Sequence, residues 1–254
     1  RAFWAWAFSD TPRAAWTRGA ERAAAQALKA AIAEGRAPGD APEGSIALVG
    51  AGPGARDLLT LRAVQRLQEA DVIFYDRLVD AEVLELARRD AERVFVGKVV
   101  GAHAWPQERI NAVIVAAAQR GQRVVRLKSG DPGIFGRATE ELEAAEAAGI
   151  AVEIVPGITA ACAAAASAGR SLTTRGGSDT LVLTTGTCRD EDPLPDCARH
   201  ARPGTTLALY MAVRQATRIV DGLRARGLPG AAEVTVAVEV SKPGERRFTC
   251  TLDR

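Results

Sequence analysis

The sequence predicts an α/β protein with a mostly parallel sheet in its first lobe and a mixed sheet in a second lobe. Three observations carry that prediction. From Ser45 onward, short apolar runs alternate with helix-forming stretches, the pattern of strands joined by crossover helices. Glycine-rich loops follow several of those runs directly. A second series after Arg175 ends in two apolar runs around Pro243-Gly244, which reads as a hairpin.

Taken in order, residues 1–37 read as helical, with an aromatic cluster followed by a stretch of strong helix formers from Ala20 to Ile32. Residues 37–44 (Ala-Pro-Gly-Asp-Ala-Pro-Glu-Gly) break any regular element and read as a linker. The expected strands of the first lobe are 45–50, 71–75, 93–96, 123–127 and 152–155, with helices over 58–70, 106–120 and 139–148 between them. Pro106 suits a first helical turn, where its missing N–H costs nothing. In the second series, 180–184, 206–210 and 234–240 read as strands, 213–226 as a helix ending at Gly227, and 245–252 as the partner of 234–240. The expected division is a helical tail and linker over 1–43, a first lobe over 44–172 and a second over 173–254.

A hydrophobic content of 47% and a charged content of 25% are those of an ordinary soluble globular protein. The formal net charge of +2 gives no footprint for nucleic acid or an anionic membrane, so any acidic ligand must be met by local basic groups. Cys162, Cys188, Cys197 and Cys250 form no C-x-x-C pair, and His103 and His200 complete no zinc spacing, so no metal is expected. The cysteines read as reduced thiols in a cytoplasmic protein. No apolar run approaches the roughly 20 residues of a membrane span. The apolar opening Ala2–Phe8, without an initiator Met, reads as an internal piece of a longer chain.

Ligands of open α/β sheets bind at the carboxyl ends of strands, and three loops lie there. Gly50-Ala51-Gly52-Pro53-Gly54 is neither a dinucleotide fingerprint nor a P-loop. A nicotinamide-dinucleotide site using Asp76 and a plain tight turn both remain open from the local pattern. Lys128 to Arg137 carries Ser129, Gly130, Asp131, Pro132 and Ile134, and is too glycine-rich and too long for a plain turn. Val155 to Ala161 places small residues where a helix begins, for a ligand or for tight packing. Asp76 and Lys98 end neighbouring strand runs and form either a proton-handling pair or a salt bridge. Met211 follows a strand and reads as a core filler on pattern alone.

Together these stretches resemble one family, the uroporphyrinogen-III C-methyltransferases among the tetrapyrrole methylases. The matching segments are Val49–Gly54 with Leu58–Leu61, Ala70–Val72, Tyr75–Val79, Val96–Lys98, Pro106–Glu108 with Ile110-Asn111, and Val124–Lys128. Gly130–Pro132, Ile134–Arg137, Val155–Ala161 and Leu209–Met211 complete the set. The resemblance implies the two-lobed tetrapyrrole methylase fold and S-adenosylmethionine (SAM) as methyl donor, leaving S-adenosylhomocysteine. It places Pro53, Ser129, Gly130, Asp131, Ile134, Thr159, Ala160, Met211 and Ala237 around SAM. It makes Asp76 the proton acceptor and Lys98 the proton donor. The implied reaction is double C-methylation of uroporphyrinogen III to precorrin-2 by a homodimer. A substrate with so many carboxylates needs cations, and Arg126, Lys128, Arg137, Arg175 and His103 are the candidates.

Residues 1–37 resemble the helical tail of the dehydrogenase/ferrochelatase module that precedes this enzyme in siroheme synthases. Four positions depart from the family pattern: Ala55 where an aspartate is usual, Ser129 for a glycine, and Thr174 and Thr187 for histidines. The chain also ends at Arg254, ahead of a final helix and strand usual in the family, which implies a piece of a longer protein. Two rival readings follow: a methylase of a later precorrin, and a non-catalytic lobe that binds SAM or tetrapyrrole within a fusion.

Overall fold

The computed structural model describes residues 6–8, 11–33, 44–97, 105–186 and 196–254. Residues 6–8 are helical, and the helices α1 (Thr11–Thr17) and α2 (Glu21–Ala33) follow them. The central element is β1 (Ser45–Gly50), paired in parallel on one side with β4 (Arg123–Lys128) and on the other with β5 (Val152–Val155). Beyond β4 come β2 (Val72–Tyr75) and then β3 (Glu92–Phe95), which gives a five-stranded parallel sheet in the order β3-β2-β4-β1-β5.

The sheet is covered on both faces because its strands are apolar on both. Side chains alternate along a strand, so β1 sends Ala47 and Val49 to one side and Ile46 and Leu48 to the other. On the first side they meet Ala63 and Leu67 of helix α3 (Leu61–Glu69) and Val83 of the short helix α4 (Ala81–Leu84). On the second they meet Ile110 and Ile114 of α5 (Gln107–Gln119) and Ala138 and Ala145 of α6 (Ala138–Ala147).

The expected helix over 58–70 divides. A single 3-10 turn (Arg56–Leu58) comes first, and α3 starts afresh where the Thr60 hydroxyl accepts from the Ala63 N–H at 3.2 Å. After β5 comes α7 (Ala160–Ser167).

In the second half β6 (Thr180–Thr185) and β7 (Thr205–Tyr210) pair in parallel, and β8 (Glu233–Val238) and β9 (Arg246–Thr251) form an antiparallel hairpin. Both pairing senses therefore occur here. The helix expected over 213–226 begins as a 3-10 turn (Val213–Gln215) and becomes α8 (Ala216–Ala225). β8 stops at Val238 because Glu239 and Ser241 take left-handed backbone angles, φ 52° and 63°, and turn the chain. Cys162, Cys197 and Cys250 are free thiols. Among the described residues, no helix is long and apolar enough to cross a membrane.

Candidate functional site

Parallel register decides where the loops meet. Gly50 lies opposite Lys128 and Val49 opposite Val155, so the loops after β1, β4 and β5 leave the sheet side by side at its carboxyl edge. They touch through backbone. Gly52 and Gly130 exchange hydrogen bonds, N–H to O at 3.2 and 2.7 Å, and the Ala51 N–H donates to the Lys128 carbonyl at 2.7 Å. A Cβ on Gly157 would stand 2.2 Å from the Gly130 carbonyl oxygen, and one on Gly50 would stand 2.6 Å from Gly157 Cα. Those two glycines are needed for loop-to-loop packing. Gly130, at φ 69°, is different: a Cβ there would meet only Thr159 Cα, at 3.9 Å, so the side where a side chain would stand is open.

Asp131 holds the loops in register. Its Oδ1 accepts from the Gly133 N–H at 2.8 Å and its Oδ2 from the Gly157 N–H at 3.0 Å. Pro53 is buried within the first loop, while Ser129, Ile134, Thr159 and Ala160 are half-buried along its neighbours.

The second half closes over this edge at two places. At the end of β7 the Tyr210 hydroxyl hydrogen-bonds Thr159 Oγ1 at 2.6 Å and accepts from the Ala161 N–H at 3.1 Å. The Tyr210 ring packs on Phe135 with centroids 5.0 Å apart. Met211 follows, left-handed at φ 55° and 61% exposed. The other contact is the β8–β9 turn, where Ser241 Oγ accepts from the Ala55 N–H at 3.0 Å and Lys242 reaches Asp80 at 3.5 Å. Ala237 lies on β8, leading into that turn.

Asp76 follows β2 at the same edge, with its side chain 30% exposed. Its Oδ2 is 3.1 Å from Nη2 of Arg126. Behind it the charges continue inward: Arg126 Nε donates to Glu141 Oε1 at 3.0 Å, and Lys128 Nζ to Glu141 Oε2 at 2.8 Å. Burial pushes the Lys128 ammonium below its ordinary 10.5, with Arg126 acting the same way and Glu141 opposing.

The expectation that Arg126 and Lys128 meet substrate carboxylates needs correction. Both side chains are 5% exposed and committed to carboxylates of this chain. Arg137 is exposed but pairs with Glu140 at 2.6 Å, which raises its pKa. Arg175 is exposed in the 174–178 turn. Lys98, His103 and Thr187 lie outside the described residues.

Glu141 was not picked out in the sequence, and Tyr210 entered only within the matching stretch Leu209–Met211, without a role. Tyr210 could have been given one, as a hydroxyl at a strand's carboxyl end. Glu141 sits in an acidic helical run that reads as solvated surface. Among the described residues, no group of three His, Cys, Asp or Glu side chains could hold a metal ion. A separate cavity of about 270 Å³, lined by Ser45, Arg66, Glu69, Arg123 and Glu153, opens at the opposite, amino-terminal edge and holds none of the predicted site residues.

Over 253 residues the chain is 45% identical to siroheme synthase 1 of Cronobacter sakazakii, covering 100% of this chain and 53% of that protein. The chain thus spans about half the length of the curated relatives it matches. Among solved structures, it is similar to uroporphyrin-III C-methyl transferase from Thermus thermophilus complexed with S-adenyl homocysteine. The TM-score is 0.71 at 37% identity, over 83% of this chain and 89% of that one. It is also similar to a cobalt precorrin-4 methyltransferase, with a TM-score of 0.72 at 28% identity, over 82% and 86% of the two chains. The Tetrapyrrole (Corrin/Porphyrin) Methylases match residues 45–254, and the chain belongs to that family.

Proposed function

We propose that this chain is a SAM-dependent C-methyltransferase that methylates two pyrrole carbons of uroporphyrinogen III, giving precorrin-2 for siroheme or cobalamin synthesis. The observation that carries the reading is the convergence of three small-residue loops on one sheet edge beside a carboxylate held by a buried arginine. The similarity to a methyltransferase complexed with S-adenyl homocysteine supports the choice of cofactor.

The residues present fit that cofactor. The open side of Gly130, the half-buried Ile134, Thr159 and Ala160, and the exposed Met211 are uncharged and stand at one edge of the sheet. Such an edge suits a zwitterion with a purine, which needs shape and hydrogen bonds more than countercharge. Asp131 ties its loop to the Gly157 N–H, Pro53 is buried within the first loop, and Ala237 lies on the strand leading to the turn that meets Ala55. When bound, SAM supplies an electrophilic sulfonium methyl, so the protein's task is to orient a pyrrole carbon against it.

The methylated ring must then lose a proton, and Asp76 accepts it, its carboxylate kept in place by Arg126. Lys98 is the proposed donor in the compensating step. Arg137, Arg175 and His103 would meet the substrate's carboxylates. Arg137 can do so by exchanging Glu140 for a ligand, since that pair is exposed and therefore weak.

The match to siroheme synthase across 100% of this chain supports reading residues 1–43 as the end of a preceding module. A homodimer is part of the proposal and is checked by sedimentation. The comparable fold similarity to the cobalt precorrin-4 enzyme favours a second reading, methylation of a later precorrin. The higher identity to the uroporphyrin-III enzyme weighs against it.

The test supplies methyl-labelled SAM and uroporphyrinogen III to the chain and counts methyl groups on the product. Asp76→Ala is expected to lower kcat by about a hundredfold or more while SAM still binds, as for loss of a general base. Unchanged turnover would remove Asp76 from the mechanism.

A further inference from the structure

Glu141 takes no part in the proposed reaction, although its side chain is more deeply buried than those of Arg126 and Lys128 beside it. It stands in the first turn of α6 with 1% of its side chain exposed. Both oxygens are occupied. Oε1 accepts from Arg126 Nε at 3.0 Å and from Gln107 Nε2, on α5, at 3.3 Å; Oε2 accepts from Lys128 Nζ at 2.8 Å. A carboxylate this deep is tolerable only when paired, since stripping one partner from a buried ion pair costs several kcal/mol.

Arg126 is fixed along its whole planar head. Nε goes to Glu141, Nη1 to the Leu127 carbonyl at 3.0 Å, and Nη2 to Asp76 Oδ2 at 3.1 Å. A guanidinium is a rigid fork, so holding Nε fixes where Nη2 lies. Asp76 itself is 30% exposed at the end of β2. Arg126 lies on the adjacent strand, where Phe74 is its register partner. The chain of contacts therefore runs from a helix behind the sheet, through one rigid side chain, to the carboxylate at the reaction edge.

We propose that Glu141 is a positioning residue for the proton-accepting carboxylate of Asp76, acting through Arg126. The proposal rests on the reading of Asp76 as proton acceptor. The competing role is purely structural, an ion pair that fastens α6 to the sheet. The two differ in what they predict. A fastening role affects how much protein is folded; a positioning role affects turnover by molecules that are folded and bind SAM.

Glu141→Gln leaves two buried cations against one acid, so a charge-balanced pair, Glu141→Gln with Lys128→Met, is tested beside it. Glu141→Asp keeps the charge but is one methylene too short to reach both cations, and serves if the others fold poorly. Turnover is measured with methyl-labelled SAM and uroporphyrinogen III, normalised to SAM-binding sites.

In the charge-balanced pair, kcat is expected to fall by about tenfold or more, as for a reacting group shifted by a fraction of an ångström. KM for both substrates and Kd for SAM should stay within about twofold, because the hydrogen bonds of Glu141 go to Gln107, Arg126 and Lys128 and to none of the residues proposed around SAM. In an Arg126→Lys background, where the link is already cut, the same pair should change kcat by less than about threefold.

Retention of kcat within about twofold in the charge-balanced pair would overturn the proposal in favour of fastening alone. Losses that multiply fully with Arg126→Lys would overturn it too, since Glu141 would then act by another route. Unchanged turnover in Asp76→Ala is a different failure: it removes the acceptor reading itself, and this inference with it.

Discussion

Arg126 and Lys128 stand two apart on β4, so both side chains leave the sheet on the same face. In a strand buried on both sides, two such cations require a buried acid, and Glu141 is that acid. The sequence carried the clue in the run Val124-Val125-Arg126-Leu127-Lys128. What it did not reveal was which of the acids in 140–146 turns inward, because that depends on how α6 is rotated against the sheet.

The Lys128 pKa lies below 10.5 because of burial, so between the two values the unfolded chain binds more protons than the folded one. This group's contribution to stability therefore grows as pH rises through that window and is complete above 10.5. Chemical denaturation from pH 7 to pH 10 should show the parent gaining stability relative to Lys128→Met. A constant difference would mean that Lys128 does not titrate there.

Tyr210 was visible only as the neighbour of Met211. Its role depends on β7 and α7, far apart in sequence, meeting at Thr159 and Ala161. Tyr210→Phe keeps the ring against Phe135 and removes the hydroxyl. Thermal melts should show a lower Tm, from the loss of about 1 kcal/mol for each hydrogen bond removed; an unchanged Tm would mean that the hydroxyl does not fasten the two halves.

At the scale of elements, the strands were the most legible part because continuous apolar runs have few other ways to be buried. Helix limits were less so. Thr60 restarts α3 after a 3-10 turn, a capping choice made by local hydrogen bonds rather than by the apolar period. The glycine loops were correctly located, but their glycines do different jobs. Gly50 and Gly157 separate nothing from a ligand; they let two loops pack at backbone distance. A Cβ on Gly157 would meet only backbone atoms, which cannot move aside. Gly157→Ala should therefore destabilise the protein by about 1–3 kcal/mol and weaken SAM binding as the loops part. Thermal melts alongside binding titrations check it, and an undisturbed Tm would show that the three-loop contact is looser than described.

Across the whole molecule, the two halves meet over the carboxyl edge of the five-stranded sheet. Tyr210 joins one side of that edge, and Ser241 and Lys242 the other. The Ser241 contact also bears on Ala55, one of the four departures that the resemblance marks in the sequence. What the structure uses at that position is the backbone N–H, which alanine supplies as well as any residue. The family itself was legible because its motifs lie in order at the loops, and the match over residues 45–254 agrees. The substrate cations were the least legible. Exposed arginines are plentiful, and the sequence does not separate those turned inward, such as Arg126, from those left at the surface, such as Arg175.

The central claim is methyl transfer to uroporphyrinogen III, and the most direct measurement is the number of labelled methyl groups carried to it from SAM. The account predicts two methyl groups per tetrapyrrole, with release of two equivalents of S-adenosylhomocysteine. No transfer by chain that binds SAM, or transfer only to a later precorrin, would contradict it.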